Sequence, residues 1–247
     1  MTTSSFDQQA WLKRIGYGGP LEPTLSTLRQ LTFAHSHAIA YESLDIMLGR
    51  TPKLDVGALQ HKMIFGGRGG YCLEQNMLFR AGLRSLGYQA TSLQGRVVRG
   101  MAIDAPRPAI HMLLRVELAE GPYLADVGFG NLAPTSALLL RAGIEQETPH
   151  EPMRFIDVGG ELTLQAKLRD SWEHIYRVIP YPRYDGEYEI TNWCIPARIQ
   201  TRLIRATLSL LVLAPIEHGS PCSISARDGR GRKAALERRS RVQVGAS

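Results

Sequence analysis

Apolar residues recur at helical spacing in three segments of the first third of the chain. The segment 23–33 presents its leucines on one face, and the segment 54–64 repeats the pattern after Asp55, a residue suited to helix capping. A third apolar face runs through residues 72–86 and stops at Gly87, which is typical of a helix C-terminus. We therefore predict a mainly helical region up to Gly87.

Between Tyr88 and about Arg177 the pattern changes to short runs rich in β-branched and apolar residues, separated by glycine and proline. Gly121-Pro122 is read as the turn of a hairpin between two of these runs. Such short segments predict an antiparallel sheet that meanders or closes into a barrel. The predicted strands cover residues 90–98, 109–117, 123–127, 153–158 and 161–167.

The composition is that of a globular enzyme, with 247 residues, 44% hydrophobic and 21% charged. The opening residues lack the basic start and apolar stretch of a secretory signal, and no uncharged apolar run reaches about 18 residues. We expect neither export nor a membrane span. Three cysteines without metal-site spacing favour a reduced cytoplasm and predict no metal site.

The net charge of +6 is concentrated at one end of the chain. Residues 194–247 carry ten basic and three acidic side chains, a net +7, so the preceding part has a net charge of −1. A basic tail can serve as a phosphate-binding arm, and a binding protein that uses this tail is one alternative function. Because the larger part of the chain is not basic, we expect no nucleic-acid partner.

Cys72 follows a glycine-rich turn at residues 68–71 and stands where the third helical pattern begins. The first N–H groups of a helix lack internal partners, and the helix dipole is positive there, so this position stabilises a thiolate. A buried core cysteine is the alternative interpretation. The placement makes Cys72 a candidate nucleophile.

His111 and Asp126 are each isolated in a mainly apolar predicted strand, and the two strands are joined by the predicted hairpin. Antiparallel neighbours would bring the two side chains together, where each could offset the cost of burying the other. A core histidine and a turn-capping aspartate are the alternative interpretations. With Cys72 they form the set that an activated thiolate needs: nucleophile, base and orienting carboxylate.

Three motifs together resemble the arylamine N-acetyltransferase family. They are RGGYCLEQN at residues 68–76, HMLLRVE at 111–117 and YLADVGFG at 123–130. The resemblance extends roughly from Phe6 to Trp193. Ala40-Tyr41 replaces the Pro-Phe usual in the family and Ser43 replaces Asn, which could reshape a pocket without touching the triad.

The resemblance implies an α+β fold with an N-terminal helical bundle, a central antiparallel β-barrel and a C-terminal α/β lid. It also implies a catalytic core like that of cysteine proteases and transglutaminases. We expect a helical domain with the nucleophile at residues 1–87 and a barrel domain with the histidine and aspartate at 88–180. An interdomain segment and the lid would occupy residues 181–247.

The resemblance further implies acetyl transfer from acetyl-CoA to the nitrogen of arylamines, arylhydrazines or hydrazides, by a ping-pong mechanism through acetyl-Cys72. His111 would be the base and Asp126 would orient it. Acetyl-CoA would be the donor substrate, with no metal. A cysteine peptidase or transglutaminase-like acyl transferase uses the same triad order and is an alternative, as is an inactive homologue that acts as a binding protein.

The same resemblance implies partners and contact residues. The acceptors would be small molecules, often xenobiotics, with no membrane partner, and a homodimer is left open. The predicted contacts fall into three groups: Gly128, Phe129 and Gly130 for the cofactor, Tyr41 and Tyr71 for the substrate, and Glu42 and Arg68 as the pair that braces the nucleophile loop.

After about Trp193 the sequence departs from the family pattern. Codons can be chosen for residues 198–207 which, read one base earlier, encode a segment similar to that of the family. We therefore hypothesise a single-base frameshift near residues 194–197 that altered the C-terminal lid. The triad lies upstream of this departure.

Overall fold

The computed structural model describes residues 5–195, and most of its helices precede its sheet in the chain. Helix α4 runs directly into a π-helical turn at Gln60–Phe65, so the predicted helix 54–64 is confirmed with a change of winding. The helices are α1 (Gln8–Arg14), α2 (Leu25–Ala38), α3 (Leu44–Met47), α4 (Val56–Leu59), α5 (Cys72–Ser85) and, after the sheet, α6 (185–195).

Side-chain caps determine where the predicted helices begin. The Thr24 hydroxyl accepts a hydrogen bond from the Thr27 N–H at the start of α2, and the Asp55 carboxylate accepts one from Ala58 N at 2.9 Å. After the C-terminus of α5, Gly87 adopts a φ of 88°, a left-handed conformation that glycine takes without strain. The signals predicted at Asp55 and Gly87 are confirmed, whereas the cap at Thr24 was not predicted.

The described strands form one antiparallel sheet in the order β4-β3-β2-β1-β8-β7-β6-β5. The five predicted strand segments correspond to β1, β2, β3, β6 and β7. The strands are β1 (Gln89–Val97), β2 (His111–Leu118), β3 (Gly121–Ala125), β4 (Leu138–Leu139), β5 (Glu145–Gln146), β6 (Met153–Val158), β7 (Glu161–Leu168) and β8 (Ser171–Ile179).

The β2–β3 hairpin is present, but Gly121-Pro122 is not its turn. β2 ends at Leu118, the two residues 119–120 make the turn, and Gly121 and Pro122 already pair with Leu118 and Glu117. The prediction was wrong because proline can occupy the first residues of a strand, where its missing N–H is tolerated.

The two ends of the sheet approach each other and nearly close it into a barrel. β4 and β5 are its edge strands, and the Gln146 side chain from β5 forms two hydrogen bonds with the Leu139 backbone of β4, at 2.7 and 3.0 Å. A side-chain amide thus replaces the backbone ladder that full closure would require. The predicted central antiparallel barrel is confirmed in this form.

Two buried apolar clusters follow from the alternation of residues along the strands. One contains Leu93, Leu113 and Leu124 and fills the inside of the nearly closed barrel. The other joins the helices to the opposite face of β1–β3, with α5 packed on β1 and β2. The described residues all lie in one compact unit.

After β8 the chain returns to α5 and β1. The Arg80 guanidinium of α5 binds both carboxylate oxygens of Asp185 at 2.7 and 2.9 Å, and the Tyr188 hydroxyl donates to the Leu93 carbonyl at 2.8 Å. These contacts position the start of α6. The predicted lid beyond it, and the predicted departure after about Trp193, fall almost wholly outside the described residues. Within residues 5–195, no helix is long and apolar enough to cross a bilayer.

The packing of α5 on α1 depends on Gly82, because a Cβ there would lie 2.7 Å from the Trp11 ring. We expect Gly82→Ala to lower the free energy of unfolding by about 1–3 kcal/mol through overpacking. Gly186→Ala in α6 is the matched control, since no atom of residues 5–195 lies within 4 Å of its new methyl group. This control should be neutral or slightly stabilising. Urea denaturation measures both, and equal effects would contradict the packing argument.

Candidate active site

Cys72 is the first residue of α5, as the sequence predicts, and its side chain is mostly buried. The Glu74 carboxylate, two residues later, accepts a hydrogen bond from the Tyr71 N–H at 3.1 Å. This contact satisfies one N–H group at the helix start and fixes the entry of the chain into α5. Cys72 therefore lies at the positive N-terminal end of α5, between this helix and the glycine turn that precedes it.

The glycine turn is held by a neighbouring extended segment. The Gly70 N–H donates to the Ala40 carbonyl at 3.2 Å, and the Glu42 N–H donates to the Gly70 carbonyl at 3.0 Å. The side-chain amide of Gln75 on α5 donates to the Ala40 carbonyl at 2.9 Å. Segment 39–42 is thereby fixed to both the turn and the helix that carry the nucleophile.

A buried chain of neutral hydrogen bonds supports Gln75. The Trp11 indole N–H donates to Nδ1 of His35 at 3.2 Å, and Nε2 of His35 contacts the Gln75 side-chain oxygen at 3.0 Å. Burial lowers the pKa of His35 to about 4, so the ring is neutral and carries its hydrogen on Nε2. Sequence reasoning missed this support, because His35 lies within the amphipathic pattern of α2.

The predicted pair Glu42–Arg68 is present at 2.8 Å and belongs to a larger ionic cluster. Lys62 from the π-helical turn lies 2.7 Å from Asp45 and 2.7 Å from Glu74. Burial alone would lower the pKa of Lys62, but these two carboxylates outweigh it and raise that pKa. Lys62 was missed in the sequence because its partners come from three separate segments.

His111 and Asp126 meet in the interior, with Nε2 of the ring 2.6 Å from Oδ2 of the carboxylate. The exposed fractions are 3% and 0%, so the pair is shielded from water. β2 and β3 align Leu114 with Ala125, which makes His111 and Asp126 diagonal rather than directly opposite neighbours. The sequence prediction that the hairpin would bring them together is confirmed.

Burial acts on both groups of this pair, and their mutual attraction outweighs it. Burial alone lowers the pKa of His111, but the Asp126 charge and hydrogen bond raise it to about 10. Burial raises the pKa of Asp126, but His111 and further donors hold it below its usual range. Interaction with the Cys72 sulfur also raises the pKa of His111, which places the thiol beside the ring. Nε2 of His111 is bound to Asp126, so Nδ1 is the ring nitrogen that can interact with Cys72.

Asn76 joins the nucleophile helix to the carboxylate and was not identified from the sequence. Its side-chain N–H group donates to Oδ1 of Asp126 at 2.9 Å, and its oxygen accepts from the Val127 N–H at 3.1 Å. The Gly128 N–H donates to the same Asp126 oxygen at 2.9 Å. Asn76 lies one helical turn after Cys72 within the glycine-cysteine motif, and that spacing was the signal available.

The segment 128–130 follows Asp126 in the chain and packs against Cys72 and His111. A Cβ on Gly128 would lie 2.6 Å from Nδ2 of Asn76 and 2.8 Å from the Cys72 carbonyl oxygen, so only glycine fits. The Phe129 ring packs edge-on against His111, with centroids 5.1 Å apart, and Tyr176 lies 5.2 Å from the same ring. Tyr176 is a further buried neighbour that sequence reasoning missed.

The two tyrosines predicted to contact substrate have different surroundings. Tyr41 is 48% exposed, and its ring faces Gly130 beside an open cavity of about 600 Å³. Tyr71 is buried, and its hydroxyl donates to the Asn192 side-chain oxygen. Asn192 in turn donates to the Pro52 carbonyl at 2.7 Å. The substrate roles of both tyrosines stay predictions.

Within residues 5–195, no group of three or more histidine, cysteine, aspartate and glutamate side chains is arranged to hold a metal ion. The arrangement around Cys72 is one that supports nucleophilic acyl transfer, since a thiol, an imidazolium and a carboxylate lie in sequence.

The raised pKa of His111 links folding stability to pH. The unfolded chain releases this proton near pH 6.5 and the folded protein near pH 10, so the contribution is complete below about pH 6.5 and is lost as the pH rises to about 10. The difference in unfolding free energy between the protein and His111→Gln should therefore shrink across this range. Urea denaturation at constant ionic strength measures it. A difference that stays constant would contradict the charged pair.

Comparison with known proteins agrees with this geometry. The family model described as N-acetyltransferase matches residues 24–217, and thus extends past Trp193. The arylamine N-acetyltransferase of Mycobacterium tuberculosis is 36% identical over 228 residues, which are 91% of this chain and 79% of that protein. That of Mycolicibacterium smegmatis is 40% identical over 195 residues, 77% of this chain and 71% of the relative.

Solved structures show the same similarity. The arylamine N-acetyltransferase of Mycobacterium marinum in complex with CoA has a TM-score of 0.74 and 41% identity, over 77% of this chain and 71% of that one. The enzyme from Salmonella typhimurium has a TM-score of 0.73 at 35% identity, over 76% and 69%. With the matched motifs, the barrel and the buried triad geometry, these similarities show that the chain belongs to the arylamine N-acetyltransferase family of transferases.

Proposed function

We propose that Cys72 accepts an acetyl group from acetyl-CoA and passes it to the nitrogen of an arylamine, arylhydrazine or hydrazide. The observation that carries this proposal is the buried His111–Asp126 pair beside a cysteine at a helix N-terminus. The CoA complex of the Mycobacterium marinum relative supports the donor. The names of the relatives support an arylamine acceptor.

In the first half-reaction the Cys72 sulfur attacks the thioester carbonyl carbon. In this step the reacting pair is a Cys72 thiolate beside a His111 ring that holds its proton at neutral pH. The carbon–sulfur bond to CoA then breaks, and CoA leaves with the proton given up by His111. Acetyl-Cys72 and a neutral imidazole remain.

In the second half-reaction the amine nitrogen attacks the acetyl carbon of acetyl-Cys72. Neutral His111 takes the proton that the nitrogen loses, and Cys72 leaves as a thiolate, which restores the starting pair. A thiolate serves both steps because it is a good nucleophile and a good leaving group. Asp126 stays ionised throughout and orients the ring, with its other oxygen held by Asn76.

The oxyanion formed in each step needs donors close to the sulfur. The first N–H groups of α5 have no partner within the helix and point toward its N-terminal end. Backbone donors of this kind typically contribute about 3 kcal/mol each to the stabilisation of such an intermediate. We assign this role to the backbone at the start of α5.

The remaining contacts extend the proposal to the cleft. Gly128 lets its segment pack directly on the Cys72 backbone, so residues 128–130 border the nucleophile, where the thioester and its pantetheine arm would bind. Tyr41 would contact the acceptor from the cavity. Glu42 and Arg68 would act indirectly, because their ion pair braces the turn before Cys72.

The acetyl-enzyme provides a direct test with a matched control. We expect one equivalent of CoA to be released on mixing with acetyl-CoA and the mass of one acetyl group to appear on Cys72. Cys72→Ala should abolish both and reduce turnover by about ten-thousand-fold or more. Cys194→Ala, at an exposed cysteine, should behave like the unchanged protein.

Stopped-flow thiol assays and peptide mass spectrometry provide these readouts. If the unchanged protein forms no acetyl-cysteine yet cleaves or cross-links peptides in a Cys72-dependent way, the peptidase or transglutaminase-like alternative replaces this proposal. Acetylation that persists in Cys72→Ala would assign the nucleophile elsewhere.

Gly128→Ala tests whether close approach of segment 128–130 positions the triad. The added methyl group would displace Asn76 or the Cys72 backbone, so the rate of Cys72 acetylation should fall about a hundredfold. Gly18→Ala adds the same group where nothing lies within 4 Å and should leave the rate unchanged. Rapid-quench measurement of acetyl-enzyme formation distinguishes the two, and circular dichroism checks folding. Equal rates would show that the site tolerates the displacement.

A further inference from the structure

One cavity has a volume of about 600 Å³, within the range of small-molecule sites, and Tyr41, Val127 and Gly130 form the part of its lining that we call the near wall. A Cβ on Gly130 would lie 3.2 Å from the Tyr41 ring, and Gly128 in the same segment packs against the Cys72 backbone. The near wall therefore borders the segment that packs on Cys72, and an acceptor in this cavity would present its nitrogen there.

The far wall contains groups that the acetyl-transfer mechanism does not use. Ser36 and His37 come from the end of α2, and His150 and Glu151 come from the segment before β6. The two imidazole rings are stacked, with centroids 5.7 Å apart and planes at 19°. His150 is also 2.9 Å from the Thr135 hydroxyl, so the far wall is held together by its own contacts.

The hydrogen-bonding capacity of this wall is mainly that of an acceptor. Nδ1 of His37 lies 3.0 Å from the Phe33 carbonyl, which can only accept, so Nδ1 carries the hydrogen. In the neutral ring, Nε2 is then an acceptor. Glu151 adds a carboxylate to the same wall.

We propose that His37 and Glu151 determine acceptor specificity, favouring aryl amines with an uncharged hydrogen-bond-donating substituent over those with an anionic one. This inference rests on the proposed acetyl transfer and adds the class of acceptor. A hydroxyl or amide substituent donates to Nε2 of His37. A carboxylate would instead meet the like charge of Glu151 in a cavity where it loses part of its hydration.

The test compares kcat/KM for 4-aminophenol, 4-aminobenzoate and aniline. The three amines differ in intrinsic reactivity, so the informative quantity is the change in their ratio between variants. Glu151→Gln removes the charge from the wall and nearly keeps the side-chain shape. Glu147→Gln is the matched control, because it removes the same charge from an exposed position outside the cavity.

Glu151→Gln should raise kcat/KM for 4-aminobenzoate relative to aniline by about fivefold, and Glu147→Gln by less than about twofold. The preference of the unchanged protein against 4-aminobenzoate should weaken in about 1 M NaCl, because salt screens the repulsion. His37→Phe should lower kcat/KM for 4-aminophenol by about fivefold relative to aniline, since the hydroxyl substituent loses its acceptor while an aromatic ring still stacks on His150.

Formation of acetyl-Cys72 is measured separately for each protein, in the absence of any amine. Normal acetylation together with unchanged ratios in Glu151→Gln and His37→Phe would overturn this inference and leave the proposed acetyl transfer intact. Failure of the unchanged protein to form acetyl-Cys72 would instead overturn the proposed function itself. Normal acetylation with the expected shifts in both variants would support the specificity assignment.

Discussion

The contact between His111 and Asp126 is the interaction on which the rest of the site depends. Two ionised groups can be removed from water only if each satisfies the other and their remaining polar atoms find donors. Asn76 and the Gly128 N–H supply those donors, and they come from α5 and from the segment after β3. The hairpin, the nucleophile helix and segment 128–130 are therefore positioned around one buried ion pair.

The turn that presents Cys72 is supported by two networks of opposite electrostatic character. One is ionic and partly exposed, with Lys62 bound by carboxylates from separate segments. The other is neutral and fully buried, and it runs from Trp11 through His35 to Gln75. Both end on the backbone around the glycine turn. Because water screens the first network and cannot reach the second, the position of the nucleophile does not depend on surface ion pairs alone.

Prediction succeeded where the signal was local and failed where it depended on the surroundings. The cap at Asp55 and the stop at Gly87 act within one turn of chain, so sequence patterns identify them. Gly121-Pro122 was misplaced because both a turn and a strand start tolerate these residues. The division at residues 87 and 180 stays a prediction, as does the altered lid.

By itself, the sequence predicted a helical region followed by a sheet, five of the described strands and three candidate triad residues, because periodicity and isolated polar residues in apolar runs record burial. Tertiary structure alone decided which partners those residues meet. It placed Asn76 against Asp126, directed Tyr71 into the core and Tyr41 to the cavity, and brought Glu151 to the far wall. Such pairings join segments far apart in the chain, and a local pattern encodes the burial of a side chain without encoding its partner.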